Sequence, residues 1–171
     1  MIDIPTLETE RLLLRPHHID DFDAHYDLWR NEDVVRFISG VPSTREQSWS
    51  RMLRLAGIWH YMGFGFFAIE AKESGRFIGE AGFLEAKRDM QPSIEGTMEV
   101  GWALLPSAHG KGYATEALKA IIGWGEKQFP GRPMSCIISL DNSPSLKVAE
   151  KLGFRETART DYSGPVIQFL R

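Results

Sequence analysis

The sequence predicts an α/β fold in the order β-α-α-β-β-β-α-β-α-β-β, with one parallel crossover. Three observations predict it. A strand-like run over residues 97–105 is stopped by Pro106, and a glycine loop then opens a helix-like run that reaches about Phe129. A second strand-like run with a Cys-Ile-Ile centre, 134–140, completes a strand, helix, strand unit. After it, Pro144 and Gly153 bracket a helix, with proline inside the start and glycine past the finish.

The remaining elements follow in order. Residues 10–15 read as a strand with a triple-leucine centre, ended by Pro16. Asp20 or Asp21 caps a helix on which Phe22, Tyr26 and Trp29 recur at helical spacing. A short helix over 33–39 precedes a loop at 40–42. Ser43 with Glu46, or Thr44 with Gln47, forms a capping box. Trp49, Met52, Leu53, Ala56 and Trp59 then trace one helical face. Residues 63–71 and 76–86 read as strands around a turn at 72–75. Gly79 and Gly82 inside the second strand mark a bulge or a close approach. Residues 87–95 are polar, contain Pro92 and read as a loop. On the helix after the glycine loop, Ala114, Ala117, Leu118, Ile121 and Ile122 form the apolar face. Residues 154–160 and 166–170 close the chain as strands.

The 171 residues suit one domain over 1–171, with 43% hydrophobic and 25% charged content near globular averages. A net charge of -3 argues against a general nucleic-acid binder. Cys136 is the single cysteine, so no intrachain disulfide forms, and its apolar run marks it as a small core residue. No apolar stretch approaches the roughly 18–20 residues that span a membrane, and no secretory leader pattern opens the chain. The expectation is a cytoplasmic protein, monomer or homodimer, that touches neither nucleic acid nor membrane. The five histidines show no metal-ligand spacing, so no metal is expected.

The loop over 107–116 carries the chemistry. Placed between a strand and a helix N-terminus, it aims successive N–H groups at the positive end of the helix dipole, an arrangement that suits phosphate. Gly110 and Gly112 let the backbone approach an anion closely. A G-x-G triplet alone is weak, since 16 glycines give about 1.5 by chance and the chain has three. It is not a P-loop, because Leu105 stands where that motif's first glycine belongs and Gly112 where Ser or Thr should follow Lys111. Thr115 replaces the third glycine of a Rossmann fingerprint.

Gly110-Lys111-Gly112-Tyr113-Ala114-Thr115-Glu116-Ala117 resembles the acyl-coenzyme-A loop of the GNAT N-acetyltransferases, Q/R-x-x-G-x-G/A. Gly112 and Ala114 match, and His109 departs at the Gln/Arg position. Asn142-Ser143-Pro144-Ser145 through Glu150-Lys151-Leu152-Gly153-Phe154 is similar to a later block of that family. Thr9-Glu10-Arg11-Leu12-Leu13-Leu14-Arg15-Pro16 resembles its branch that acetylates the N-termini of ribosomal proteins. The resemblance implies the GNAT fold, a mixed and mostly antiparallel sheet of about seven strands with a splayed central parallel pair and about four helices. It implies acetyl-CoA as cosubstrate, its pantetheine arm on the backbone of Ala103, Leu104 and Leu105. The pyrophosphate would lie on Gly110, Lys111, Gly112, Tyr113, Ala114 and Thr115, with Asn142 reaching the arm.

The implied reaction is direct attack of an amine on the thioester. It needs a neutral amine, an oxyanion donor and a proton for the thiolate. A lysine amine is neutral for well under ~0.1% of molecules at pH 7, and an α-amine for roughly 14%. A protein or peptide N-terminus therefore asks little of a base, and Glu99 on the central strand is the candidate, ahead of Glu80 and Glu85. The Leu104 N–H is the oxyanion donor. The family's tyrosine acid falls on Ala149, which leaves the Ser145 hydroxyl for the thiolate. Trp29 and Glu80 are candidate acceptor contacts. Rival acceptors are polyamines, amino acids and aminoglycosides, for which Glu70, Glu73, Glu80 and Glu85 would supply an acidic pocket. The alternative from another class is a non-catalytic acyl-CoA-binding module.

Overall fold

The computed structural model describes residues 3–171. Strand β1 is the two-residue Leu7–Glu8 and β2 is Leu12–Arg15. A 3-10 turn, Ile19–Asp21, leads into α1, Phe22–Trp29. Helix α2 is short, Glu32–Val35, with the Asn31 side chain accepting from the N–H groups of Asp33 and Val34. Helix α3, Arg45–Met62, starts at the second of the two expected capping boxes. Gln47 N–H donates to Thr44 Oγ1 at 3.2 Å, and Thr44 N–H to Gln47 Oε1 at 2.9 Å. Strands β3, Phe66–Ala71, and β4, Arg76–Leu84, form the expected hairpin. Then come β5, Met98–Leu104, α4, Tyr113–Gln128, β6, Met134–Ser139, and α5, Ser143–Lys151. Strands β7, Arg155–Asp161, and β8, Pro165–Leu170, finish the chain.

The eight strands make one sheet in the order β1-β2-β3-β4-β5-β6-β8-β7. Every pairing is antiparallel except β5 with β6. Those two strands pair only at Met98 with Met134 and Glu99 with Ser135. Beyond that, β5 stays with β4 as far as Leu104, while β6 follows β8. The sheet therefore opens into a cleft along the outer half of β5.

Strand alternation sorts the two faces. Leu12, Leu14, Phe67, Ile69, Phe83, Val100 and Leu104 pack on one side against Ala117, Leu118, Ile121 and Ile122 of α4. Fully buried side chains such as Leu118 and Ile121 are each worth about 1.5–3 kcal/mol of apolar burial. Ala68 and Ala103 face the other side, under Leu28 and Trp29 of α1 and Val34 and Val35 of α2. The face of α3 differs from the expected one. Ser48, Met52, Leu55 and Trp59 turn inward, while Leu53 is 52% exposed. Both glycines expected to mark an irregularity in β4 do so: a register shift falls beside Gly79, where a Cβ would lie 2.3 Å from the carbonyl of Ala103, and at Gly82 a Cβ would lie 2.2 Å from the carbonyl of Gly65. The ligand at both points is the chain's own backbone.

Candidate active site

The cleft edge of β5 follows from strand parity. Leu105 N–H donates to Ile78 O on the β4 side, and Met98 N–H to Pro133 O on the β6 side. Alternation then sends Ala103 and Leu105 toward β4, and Trp102 and Leu104 into the cleft. Of the three residues expected to bond the arm, Leu104 alone presents its backbone there. Trp102, one step of two back along the strand, was missed, although parity counted from Leu104 would have found it. His109 Nε2 donates to the outward Leu104 carbonyl at 2.8 Å, so this imidazole folds back from the loop onto the cleft edge.

The glycine loop follows a 3-10 turn, Pro106–Ala108. Gly110 and Gly112 have φ of 72° and 79°, left-handed values that cost a residue with a Cβ about 1–2 kcal/mol. Gly112 caps α4 with no side-chain oxygen on the helix end. Among the described residues, the N–H groups of 110–115 have no backbone partner, and the first helical bond is Glu116 N–H to Gly112 O. Six consecutive donors at a helix N-terminus are left for an anion. Gly112, Thr115, Glu116 and Lys119 share an open groove of about 480 Å³ with Glu10 and Lys151.

Arg11 holds this loop from the far side, a role the spacing did not reveal. Its Nη1 donates to Lys111 O at 2.9 Å, its Nε to Glu116 Oε2 at 2.7 Å, and its guanidinium stacks 4.5 Å from the Tyr113 ring centre. Thr9 Oγ1 donates to Glu116 Oε1 at 2.7 Å. Burial works against the Glu116 charge, but the Thr9 and Arg11 donors overcome it and hold the carboxyl below its ordinary value.

Across the cleft, Asn142 caps α5, its Oδ1 accepting from Ser145 N–H at 3.2 Å. That side-chain oxygen serves the helix cap, which leaves its second lone pair and the amide NH₂ to reach an arm. Ser145 is half-buried in the first turn of α5.

Glu99 is not a free base. It sits where β5 and β6 are still paired, and Arg88 takes both its oxygens at 2.7 Å each. Burial opposes the Arg88 charge, yet the Glu99 pair raises its pKa. Arg88 comes from the 87–95 loop, whose polarity gave no sign of this partner.

The two expected acceptor contacts form a buried cluster instead. Glu80 is 1% exposed and lies beside Ala103 in the sheet register. His17 Nε2 is 2.9 Å from Glu80 Oε2, Trp29 Nε1 donates to Oε1 at 3.1 Å, and His25 Nε2 is 3.3 Å from Oε2. The His25 contact lacks hydrogen-bond geometry, and both its ring nitrogens are buried without a partner. Burial would raise the Glu80 carboxyl, but His17 and then His25 hold it well below the usual carboxylate range. Trp29 is buried, with the Arg51 guanidinium 3.7 Å above its ring. It forms no open pocket wall, because its indole N–H and ring face are already occupied. Histidine spacing along the chain could not reveal this cluster, since His17, His25 and Glu80 meet only through the sheet.

Among the described residues no group of His, Cys, Asp or Glu is arranged to hold a metal ion, and no helix is long and apolar enough to cross a membrane.

A family model described as "Acetyltransferase (GNAT) domain" matches residues 11–155. The chain is 28% identical over 152 residues to a Bacillus licheniformis protein named "Uncharacterized N-acetyltransferase p20", covering 88% of this chain and 83% of that one. The solved acetyltransferase from Agrobacterium tumefaciens superposes with a TM-score of 0.85 at 28% identity, covering 100% of this chain and 96% of that chain. The structure titled RimL, ribosomal L7/L12 α-N-protein acetyltransferase in complex with coenzyme A, has a TM-score of 0.79 at 17% identity, covering 98% and 97%. That last likeness is one of fold.

Proposed function

The chain belongs to the GNAT acetyltransferase family, and from that premise we propose that its acceptor is the α-amine of a peptide or protein N-terminus. It is an acetyl-CoA-dependent N-acetyltransferase. The residues present fit the cosubstrate. An open backbone edge at Trp102, continued by the Leu104 N–H, suits the amide-rich arm, and the unpartnered N–H groups of 110–115 suit the pyrophosphate. Acetyl-CoA supplies the acyl group as a reactive thioester.

One observation carries the choice of acceptor. The carboxylates that would attract a polycation are already paired with cations or buried. Glu70 pairs with Arg15 at 2.9 Å, Glu85 with Arg132 at 3.0 Å and Lys87 at 2.9 Å, and Glu99 with Arg88, while Glu80 is 1% exposed. Glu73 lies in the turn between β3 and β4. A polyamine or aminoglycoside needs several uncompensated carboxylates, whereas an α-amine carries one charge and is partly neutral at pH 7. The RimL neighbour, which by its title acts on a protein α-amine, shares the fold.

In this reading the cleft-facing N–H of Leu104 donates to the developing oxyanion, since no strand occupies that edge. The Ser145 hydroxyl, at the N-terminus of α5, passes a proton to the departing thiolate. Mass spectrometry of acetyl transfer from acetyl-CoA tests the acceptor. Peptides with free N-termini should gain one acetyl group, while the same peptides blocked at the N-terminus but containing lysine should gain none. Faster transfer to spermidine or an aminoglycoside would overturn the assignment.

A further inference from the structure

Resting on the α-amine reading, we propose that His17 accepts the proton from the acceptor ammonium and that Glu80 is the positioning residue that holds it. A carboxylate oxygen only accepts, so the 2.9 Å contact makes His17 Nε2 the N–H and leaves Nδ1 as the basic nitrogen. Glu80 stands beside Ala103, one residue before the Leu104 backbone opens to the cleft, and Leu105 packs against the apolar group that contains Trp29 and Ala103. Within the cluster His17 keeps 8% side-chain exposure, against 1% for Glu80 and 0% for His25. Protons therefore enter and leave through His17.

A structural role alone explains this cluster poorly. A carboxylate and two imidazoles in a core cost desolvation that an apolar triplet of similar size avoids. His25 deepens the anomaly, being wholly buried with neither ring nitrogen hydrogen-bonded. Its place, 3.3 Å from Glu80, keeps the carboxylate ionised and ready to orient His17. The other charged groups around the cluster are already engaged. Arg51 of α3 lies on Trp29, and Asp21 is paired with Arg15 at 2.7 Å.

The step balances. The ammonium gives a proton to His17 Nδ1, and the amine lone pair forms the C–N bond at the thioester carbonyl. The C–S bond breaks, and the thiolate takes the second amine proton through Ser145. His17 returns its proton to water.

The test uses a free N-terminal serine peptide, acetyl-CoA and kcat/KM across pH 6 to 9. An α-amine with a pKa of about 7.8 is mostly charged at pH 6.5 and mostly neutral at pH 9. His17→Ala should therefore lose about 10-fold or more at pH 6.5, approach wild type near pH 9, and bind CoA as wild type does. Glu80→Gln should show the same pH-dependent loss, in weaker form. His17→Asn, which keeps a donor toward Glu80, serves if the alanine variant fails to fold. Histidine ¹⁵N NMR of the CoA-bound protein should show His17 protonated on Nε2, and mixed tautomers in Glu80→Gln. A pH-independent loss, wild-type rates, or a proton on Nδ1 would overturn the proposal. Wild-type protein that binds CoA but acetylates no α-amine would overturn the acceptor reading, and this inference with it.

Discussion

Arg88 grips Glu99 with two nitrogens, Nε and Nη2, each 2.7 Å from a different carboxylate oxygen. The pair ties the loop after β4 to the start of the cleft, and Tyr162 stacks 5.0 Å from the same guanidinium. Removing one partner of such a buried pair costs on the order of 3 kcal/mol. Arg88→Met should therefore lower stability by about that much in urea unfolding, and Glu99→Gln by less, because an amide still accepts from Arg88. Acetyl transfer by Glu99→Gln should stay within about 10-fold of wild type, below the usual general-base contribution. A loss of over about 100-fold with stability intact would return Glu99 to the chemistry.

The strap from Arg11 to Glu116 predicts a binding defect without a chemical one. Arg11 fixes the Lys111 carbonyl and the Glu116 carboxylate, which keeps the loop's N–H groups aimed at one point. Arg11→Ala loses charge-assisted hydrogen bonds worth about 1.5–3 kcal/mol gross, partly recovered by water. Isothermal titration should show CoA affinity reduced by about 3–10-fold, with kcat at saturating acetyl-CoA unchanged. Equal loss in kcat would mean that the strap positions the acyl group as well.

The loop was legible because its message lies in local spacing. Pro106, Gly110, Gly112 and the helix pattern after them are contiguous, and each constrains the backbone directly. The crossover and the helix from Ser143 to Lys151 were legible for the same reason. Long-range partners were not. Glu99 reads the same whether it faces water or Arg88, and nothing local separates those outcomes. Strand β1 is two residues long, too short to leave a pattern. Trp29 and Glu80, the candidate acceptor contacts, do meet each other in the fold. Burial converted them from pocket wall to cluster interior, through a histidine pair that sequence spacing could not bring together.

Glu80 gives acid stability a definite sign. Its folded carboxyl is held below the ordinary value, so the stabilisation is fully present above the unfolded pKa of about 4.3. It is lost as pH falls through the folded value. Glu80→Gln should cost about 3–5 kcal/mol at pH 7. Urea unfolding at pH 7, 5 and 3.5 should show that gap steady between the first two and shrinking at the third. A gap that widens on acidification would mean that Glu80 is protonated in the folded protein.

Cys136 tests the packing beside the Arg88–Glu99 pair. The thiol is 1% exposed at the centre of β6, and burial, then the nearby Glu99 charge, push its pKa far up. Thiolate is the reactive form, so native protein should resist iodoacetamide and label quantitatively in urea. The two causes separate by mutation. Glu99→Gln removes only the charge, and labelling of the native protein should stay slow because burial dominates. Arg88→Met leaves a buried carboxylate without its cation and lowers the cost of opening the cleft base. Its labelling rate should rise with the open population, by about 100-fold for a 3 kcal/mol loss if opening is shared with global unfolding. Unchanged labelling in Arg88→Met, with stability reduced as expected, would show that β6 stays closed when the pair is broken and that the β6–β8 ladder protects Cys136 independently.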